Sequence, residues 1–216
     1  MQIKTCKIAG VDDSGRGSVL GPLVIAGVCI DKNNLKQLIE IGVKDSKLLS
    51  SYRRAKLYYQ IIDVVDDVSL IKLTPEQIDM YVLKGKKYKK LNYLEAISMA
   101  QVIQSLDADI VYVDASDVNV ERFKQNILKY LKKKIDLVSV HNADRIFPIV
   151  SAASIIAKVN RDHDISELAE KFGSIGSGYP SDHQTQDFLK NWLREYRDPP
   201  PFARRSWKTI RKLLNR

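Results

Sequence analysis

The sequence predicts an α/β fold whose last quarter is helical. Two apolar runs, at 110–113 and 135–140, have the length of strands and alternate with stretches of helical periodicity. Residues 8–30 contain two more apolar runs, which glycine and proline residues separate, and this pattern predicts a β-hairpin with a loop at its tip. We therefore expect strands and helices to mix in the first two thirds of the chain.

The remaining elements follow from periodicity and from residues that start helices. Helices are expected at 33–40, 51–64, 92–106 and 121–134, and a strand at 68–73. Thr74 and Pro75 form a helix start, and Pro148 opens a long helix at 148–168. Two further helices are expected from residue 181 or 182 to about 196 and at 207–214, on either side of a three-proline break.

Length and charge limit the classes of protein to consider. The 216 residues suffice for one large domain, or for one domain with an appendage. The net charge of +9 favours a polyanionic partner, although charge that only maintains solubility remains the alternative. Because no apolar run reaches about 18 residues, we expect no membrane span, and we expect a cytoplasmic protein.

Aspartates follow three of the predicted strands. Asp12 and Asp13 end the first, Asp114 ends the strand at 110–113, and Asp144 follows the strand at 135–140. If these strands are neighbours, their carboxylates meet at one edge of the sheet. Such a cluster needs divalent cations, and two ions there can support phosphodiester hydrolysis. The alternative is that each aspartate only caps or turns the chain.

The long helix at 148–168 carries a polar stripe. At about 100° per residue, Ser151, Ser154, Lys158 and Arg161 lie on one side of it. Two hydroxyls and two cations in a row suit a phosphate backbone. An ordinary amphipathic surface helix is the alternative, although such a helix usually carries acids as well.

Six segments of the chain together resemble the ribonuclease HII family, in particular its single-chain archaeal branch. They are GVDDSGRGSVLGPLVIAGV, VKDSKLL, VYVDASDVN, HNADRIFPIVSAASIIAKVNRD, GSGYPSD and RRSWKT, in this order. The resemblance implies a ribonuclease H-like mixed sheet flanked by helices, with a small helical C-terminal domain. It places the catalytic domain at 1–175 and a substrate-binding segment at 176–216.

The resemblance also implies an activity. Members of this family are endonucleases that hydrolyse the RNA strand of RNA/DNA hybrids and cleave at ribonucleotides embedded in duplex DNA, which serves ribonucleotide excision. Two Mg²⁺ or Mn²⁺ ions per site would support the hydrolysis, which leaves 5′-phosphate and 3′-hydroxyl ends. The catalytic, metal-binding residues would be Asp12, shared by both ions, with Asp13, Asp114 and Asp144. The family usually has Glu at the position of Asp13, so we expect weaker Mg²⁺ binding or a shift towards Mn²⁺ here.

Substrate contacts are implied at further positions. Backbone groups of Gly15, Arg16 and Gly17 would read the ribose 2′-OH, and glycines allow the close approach that this requires. Tyr179 would stack on the sugar at the RNA-to-DNA junction; without the resemblance it is a turn aromatic. The residues expected near the substrate backbone are Lys47, Ser151, Ser154, Lys158 and Arg161.

Alternatives to this function remain. One is another two-metal nuclease of the same fold, and a second is a catalytically impaired hybrid-binding protein. We expect a monomer with RNA/DNA hybrid or ribonucleotide-containing duplex DNA as partner and no membrane; a sliding clamp is possible but unsupported. His141 near Asp144 is a weaker catalytic candidate. Cations near the C-terminus are expected to bind duplex phosphates or to form a charged surface tail: Arg204, Arg205, Lys208, Arg211 and Lys212.

Overall fold

The computed structural model describes residues 5–43, 49–84 and 91–215. Their strands are β1 (Lys7–Ser14), β2 (Leu23–Asp31), β3 (Asp67–Leu73), β4 (Ile110–Asp114) and β5 (Asp136–Val140). They form a five-stranded sheet in the order β3-β2-β1-β4-β5, with β1 parallel to β4 and β4 parallel to β5. The neighbouring β1 and β2 are the predicted hairpin strands, and the predicted α/β class is confirmed.

Helices account for most of the remaining described residues. They are α1 (Leu35–Glu40), α2 (Ser51–Val64), α3 (Pro75–Lys84), α4 (Leu91–Ser105), α5 (Val120–Leu128), α6 (Ala143–Ile146), α7 (Pro148–Phe172), α8 (His183–Tyr196) and α9 (Lys208–Leu214). The side chains of Ser50, Asn119 and Asp182 cap the first turns of α2, α5 and α8. In the part of the chain described here, no helix has both the length and the apolar character that a membrane span requires.

Both faces of the central strands are covered. Every residue of β2 from Leu23 to Ile30 is buried, and so is β1 from Ile8 to Asp12. A strand with one face in water would alternate between buried and exposed positions. The continuous apolar runs that predicted these strands therefore reflect burial on both sides of the sheet.

A glycine in β1 lets helix α7 approach the sheet closely. A Cβ atom on Gly10 would lie 2.4 Å from the backbone carbonyl carbon and oxygen of Ile149. No other residue fits there without a shift of the backbone. The first turn of α7 therefore packs directly on β1, two residues before Asp12, and this contact fixes the position of the α7 side chains that follow.

The chain forms two compact units. The first consists of Met1–Ser14, Ile25–Ile71 and Asn92–Val159, and the second of Gly15–Val24, Lys72–Leu91 and Asn160–Arg216. The second unit has its own apolar core, formed by Val19, Leu20, Ile165, Ile175, Leu189, Phe202, Ala203 and Ile210. The functional division at residue 175 stays a prediction, since compactness does not show which segment binds a substrate.

Candidate active site

Asp12 is an almost completely buried acid near the end of β1, with only 5% of its surface exposed. Its Oδ1 accepts a hydrogen bond of 2.7 Å from the backbone N–H of Asp13, and its side chain is also hydrogen-bonded to Ser154. Burial raises the pKa of Asp12 well above its usual value, and the charges of Asp13 and Asp114 raise this pKa further. The two hydrogen bonds act in the opposite direction and do not balance that rise.

Parallel pairing explains why Asp114 lies near Asp12. Val11 of β1 is level with Val113 of β4, so the residues that follow them, Asp12 and Asp114, reach the same edge of the sheet. Asp114 lies close enough to Asp12 that its charge raises the pKa of Asp12. The two strands thus bring together carboxylates that are far apart in the sequence, as the strand-end pattern predicted.

Asp144 reaches the same region through the turn after β5. Asp114 is level with Val140, the last residue of β5. The chain then passes through Asn142, which has a left-handed conformation with φ of 55°, and enters α6. There the backbone N–H of Ala143 donates a hydrogen bond of 2.8 Å to Oδ1 of Asp114. Asp144, the next residue, is 2% exposed, so a second buried acid directly follows the residue whose backbone binds Asp114.

Asp13 lies at the more open side of this group. It is partly exposed, and its Oδ1 accepts a hydrogen bond of 3.3 Å from the hydroxyl of Ser116, which follows β4. His141 is exposed, and its Nδ1 lies 3.1 Å from the carbonyl oxygen of Ala115. This backbone contact gives His141 a structural partner, while Asp13 belongs to the carboxylate group. We call Asp12, Asp13, Asp114 and Asp144 the acidic cluster.

Helix α7 supplies hydroxyls and a cation to the acidic cluster. Ser151 and Ser154 are buried, with 2% and 0% of their surfaces exposed. The Lys158 ammonium donates a hydrogen bond of 3.1 Å to Oγ of Ser154, whose side chain is in turn hydrogen-bonded to Asp12. A chain of hydrogen bonds therefore connects a partly exposed cation to the buried carboxylate. The polar stripe predicted on this helix meets the acidic cluster at Ser154.

The donor set of the acidic cluster fits divalent cations. Carboxylate oxygens are hard ligands of the kind that Mg²⁺ and Mn²⁺ prefer. The raised pKa of Asp12 shows that the surrounding protein groups do not balance the negative charge around it. Doubly charged ions would supply the missing positive charge.

A separate group of possible metal ligands lies on helix α7. In the described part of the chain, the ligand group within 4.8 Å is His163, Asp164 and Glu167; no three aspartates form one. His163 and Glu167 of this group are exposed, whereas Asp164 is partly buried and binds Lys72 at 2.6 Å.

The second unit holds the predicted glycine turn and Tyr179. Gly15 has a φ of +88°, and its carbonyl oxygen accepts hydrogen bonds from the N–H and the hydroxyl of Ser18 at 3.2 and 2.8 Å. A Cβ atom on the exposed Gly17 would lie 4.0 Å from Cε1 of Tyr179. The 15–17 turn, which also contains Arg16, is therefore a neighbour of the Tyr179 ring.

Arg161 differs from its predicted role. The residue was expected on an exposed stripe facing phosphates, but it is only 3% exposed. Its Nη2 donates a hydrogen bond of 2.8 Å to the carbonyl oxygen of Ser177, and its guanidinium carbon lies 4.6 Å from the centre of the Tyr179 ring. Arg161 therefore lies near Tyr179 with its charged group in contact with protein, and a role for it in substrate binding stays a prediction. Lys47 lies outside the described residues.

Arg204 is also turned inward, although a phosphate contact was expected for it. It is fully buried, and its guanidinium donates hydrogen bonds to the carbonyl oxygens of Gly21 and Arg16 and lies over the Trp207 ring. Arg205 is exposed and paired with Asp198. Sequence reasoning missed this anchoring role because a basic C-terminal segment gives no sign of which cation is buried. The exposed cations that remain in this segment are Lys208, Arg211 and Lys212.

The structure thus sorts the predicted residues into two groups. The first unit contains the acidic cluster together with Ser151, Ser154 and Lys158, and the second contains Gly15, Arg16, Gly17, Arg161 and Tyr179. Gly10 is a further residue that shapes the first group, and a glycine inside a strand pattern was the signal that could have identified it.

Comparisons with known proteins identify the family and the fold. The family model described as Ribonuclease HII matches residues 9–210. The Ribonuclease HII of Thermococcus kodakarensis is 45% identical over 212 residues, which cover 97% of this chain and 90% of that protein. The crystal structure of ribonuclease H2 from Pyrococcus horikoshii OT3 superimposes with a TM-score of 0.89 at 43% identity, covering 97% of both chains.

A second solved structure is the complex of PCNA with RNase HII from Archaeoglobus fulgidus. Its matching chain has a TM-score of 0.84 at 39% identity, with coverage of 95% of this chain and 96% of that one. Both the whole-length sequence match and the shared fold extend over the residues that form the acidic cluster and the 15–17 turn. The protein therefore belongs to the ribonuclease HII family and is an endonuclease of the ribonuclease H type, a phosphodiester hydrolase.

Proposed function

We propose that this protein hydrolyses the RNA strand of RNA/DNA hybrids and cleaves at ribonucleotides embedded in duplex DNA, with two divalent ions in the acidic cluster. The observation that carries the proposal is the burial of Asp12 between two other carboxylates, which raises its pKa. A purely structural aspartate would be expected to have a compensating cation or to lie in water. A site for Mg²⁺ or Mn²⁺ explains why this uncompensated charge is retained.

The residues of the cluster have separate roles in this proposal. Asp12, Asp114 and Asp144 would hold the two ions, with Asp12 as the shared ligand, and Asp13 would act from the more exposed side. When bound, the ions supply a nucleophilic hydroxide and stabilise the charge of the leaving oxygen. Ser154 holds the Asp12 carboxylate in one orientation through its hydrogen bond. In such a displacement the products carry 5′-phosphate and 3′-hydroxyl ends.

Recognition of the ribose is assigned to the second unit. Gly17 is exposed, and the nearest atom to a Cβ atom built on it would be Cε1 of Tyr179 at 4.0 Å, so the backbone of the 15–17 turn is open to a close contact at this residue. A backbone donor or acceptor at that point can bind the 2′-hydroxyl, which is the group that distinguishes RNA from DNA. Tyr179 has an aromatic face that a sugar can stack on, and its ring is the neighbour of Gly17. These residues are proposed to select the ribonucleotide.

Cleavage mapping on a DNA duplex with a single embedded ribonucleotide tests the proposal. The expected result is one cut next to the ribonucleotide that requires Mg²⁺ or Mn²⁺ and is absent on the all-DNA duplex. Asp114→Asn should abolish cleavage while leaving duplex binding intact. Asp136→Asn is the matched control, because Asp136 is an exposed aspartate at the start of β5, and it should keep the wild-type rate.

Two other outcomes would replace the proposal. Binding of the hybrid without metal-dependent cleavage would indicate the impaired hybrid-binding protein, with Asp13 as the defect. Cleavage that does not depend on the ribonucleotide and occurs at branched DNA would indicate a different two-metal nuclease.

Partners and location are separate predictions. The Archaeoglobus fulgidus relative was solved in a complex with PCNA, so a sliding clamp is a reasonable partner to test with this protein. A monomeric state and a cytoplasmic location also stay predictions. Size-exclusion chromatography with and without a clamp tests the first two.

A further inference from the structure

Arg161 is an unusual arginine because its charged group is enclosed by protein. Its side chain is 4% exposed, and arginines are rarely buried unless they are paired. Its Nη2 donates to the Ser177 carbonyl oxygen at 2.8 Å, and its Nη1 lies 3.8 Å from Oδ1 of Asp162. The face of the guanidinium lies over Tyr179, at 4.6 Å from the ring centre. A guanidinium held in this way is not placed to bind a phosphate of the substrate.

The same side chain also packs against the glycine turn. A Cβ atom on Gly15 would lie 2.6 Å from Cδ and Nε of Arg161, so the turn approaches the arginine more closely than any other residue type would permit. A Cβ atom on Gly178 would lie 3.1 Å from Nη2. The carbonyl oxygen of Gly178 accepts hydrogen bonds from the N–H groups of Val19 and Leu20. Arg161 therefore lies between the 15–17 turn and the segment that carries Tyr179.

We propose that Arg161 is a positioning residue that holds the Tyr179 ring and the 15–17 turn in register with each other, so that one ribose is recognised by both. This inference rests on the proposed role of the turn and of Tyr179 in reading the ribonucleotide. Arg161 itself contacts no substrate in this proposal. It acts through Tyr179, whose ring would otherwise be free to rotate away from the sugar.

The chemistry of the contact requires arginine. A guanidinium is planar, so one group can stack on an aromatic ring and donate hydrogen bonds in its own plane at the same time. A lysine ammonium has no such plane, and its longer-lived hydration favours exposure to water. Lysine at this position keeps the charge and most of the aliphatic stem, and it removes the stacking and the fixed direction of the hydrogen bond. Arg161→Lys is therefore a selective perturbation.

A double-mutant cycle tests the inference. The rate constant kcat/KM is measured on a duplex with one ribonucleotide for the wild type, Arg161→Lys, Tyr179→Ala and the double variant. Because stacking of a cation on a ring and its orientation are worth about tenfold, we expect Arg161→Lys to lower kcat/KM about tenfold in the wild-type background. In the Tyr179→Ala background the same change should lower it by less than about twofold. Tyr179→Phe, which keeps the ring, should preserve the full effect of Arg161→Lys.

Controls separate this role from a general loss of structure. Arg194→Lys, at an exposed arginine of α8, should leave kcat/KM unchanged. Thermal unfolding identifies variants that do not fold; if Arg161→Lys is one of them, Arg161→Gln, which keeps a donor but no cationic face, takes its place in the cycle. If Arg161→Lys lowered kcat/KM by the same factor in the Tyr179→Ala background as in the wild type, the two residues would act independently, and the inference would be overturned. Failure of the wild type to cleave at the ribonucleotide would instead overturn the proposed function.

Discussion

Replacing Asp12 with asparagine separates the structural effect of this residue from its proposed effect on metal binding. Asparagine has the same shape, and its Oδ1 can still accept the hydrogen bond from the N–H of Asp13. The change removes one negative charge from a position that is 5% exposed and close to two other carboxylates. In the absence of metal, we therefore expect Asp12→Asn to stabilise the protein, although it removes a residue of the proposed active site.

The size of this effect follows from the electrostatics of the cluster. Two like charges about 6 Å apart repel by about 3 kcal/mol at an effective dielectric of about 20. Burial raises the pKa of Asp12 as well, which means that the charged form of this side chain is disfavoured in the folded protein. We expect a gain of about 1–3 kcal/mol in the free energy of unfolding without metal, which raises Tm by about 2–10 °C for a chain of this size.

Unfolding experiments and cleavage assays on the same preparations measure both effects. The free energy of unfolding is determined in EDTA and in millimolar Mg²⁺ or Mn²⁺. Wild type should gain stability with either ion, since an ion that binds only the folded state stabilises it. Asp12→Asn should lose most of this gain. Removing a residue that hydrogen-bonds to a metal ligand typically lowers metal affinity or activity about 10–100-fold. Removing the ligand itself should therefore lower the rate of cleavage by at least about 100-fold.

Asp136→Asn provides the matched control, because it also removes one negative charge but at an exposed position in β5. It should change the free energy of unfolding in EDTA by no more than about 0.5 kcal/mol. The stabilisation by Mg²⁺ or Mn²⁺ should stay the same as in the wild type. The reasoning would be refuted by an Asp12→Asn variant that is less stable than wild type in EDTA and is stabilised by Mg²⁺ to the wild-type extent. Such a result would mean that Asp12 is a structural acid with adequate compensation.

Three further perturbations test other parts of the structure. Asp13→Glu should raise the Mg²⁺-supported rate relative to the Mn²⁺-supported rate, and an unchanged metal profile in cleavage assays would count against a role for the shorter side chain. Gly10→Ala should lower the free energy of unfolding by about 2–4 kcal/mol in urea titrations, because its Cβ would overlap the Ile149 backbone; a change below about 0.5 kcal/mol would exclude the close approach. Hydrogen bonds from the N–H and hydroxyl of Ser177 lower the pKa of Asp182 to about 2. This carboxylate therefore stabilises the fold above its usual pKa near 4, and the stabilisation is lost as the pH falls towards 2. Asp182→Asn should cost about 1 kcal/mol at pH 7 and nothing near pH 2, as urea titrations at the two pH values would show.

The strands and the acidic cluster could be predicted from the sequence because each rests on a local pattern. An apolar run followed by aspartate marks a strand end, and parallel strands bring their ends to one edge of the sheet. The pairing of Val11 with Val113 realises this expectation for Asp12 and Asp114. Helix α5 was predicted less accurately, because the apolar period continues beyond Leu128, where the helix ends. Periodicity indicates a face, and the end of a helix depends on the contacts around it.

The environment of Arg161 could not be predicted, for a related reason. The helical period places Ser151, Ser154, Lys158 and Arg161 on one side of α7, and the structure agrees with that geometry. The helix is 25 residues long and contributes to both compact units. One side of it therefore meets two environments, and periodicity does not show what covers each position. The guanidinium of Arg161 is buried because the Ser177 carbonyl oxygen and the Tyr179 ring contact it, and these contacts are seen only in the structure.

The charge of the chain and the charge of its acidic cluster have opposite signs, and this contrast has a functional meaning. A net charge of +9 attracts a polyanionic duplex over distances of about 10 Å at ordinary salt. The acidic cluster repels the same phosphates at close range, and Lys158 is connected to it through Ser154. Attraction of the duplex and acceptance of one phosphate at the cluster therefore need different sources of positive charge. Lysines and arginines of the chain can supply the first, and we propose that cations bound by the carboxylates supply the second. On this proposal, binding of the duplex should persist in variants that no longer cleave it.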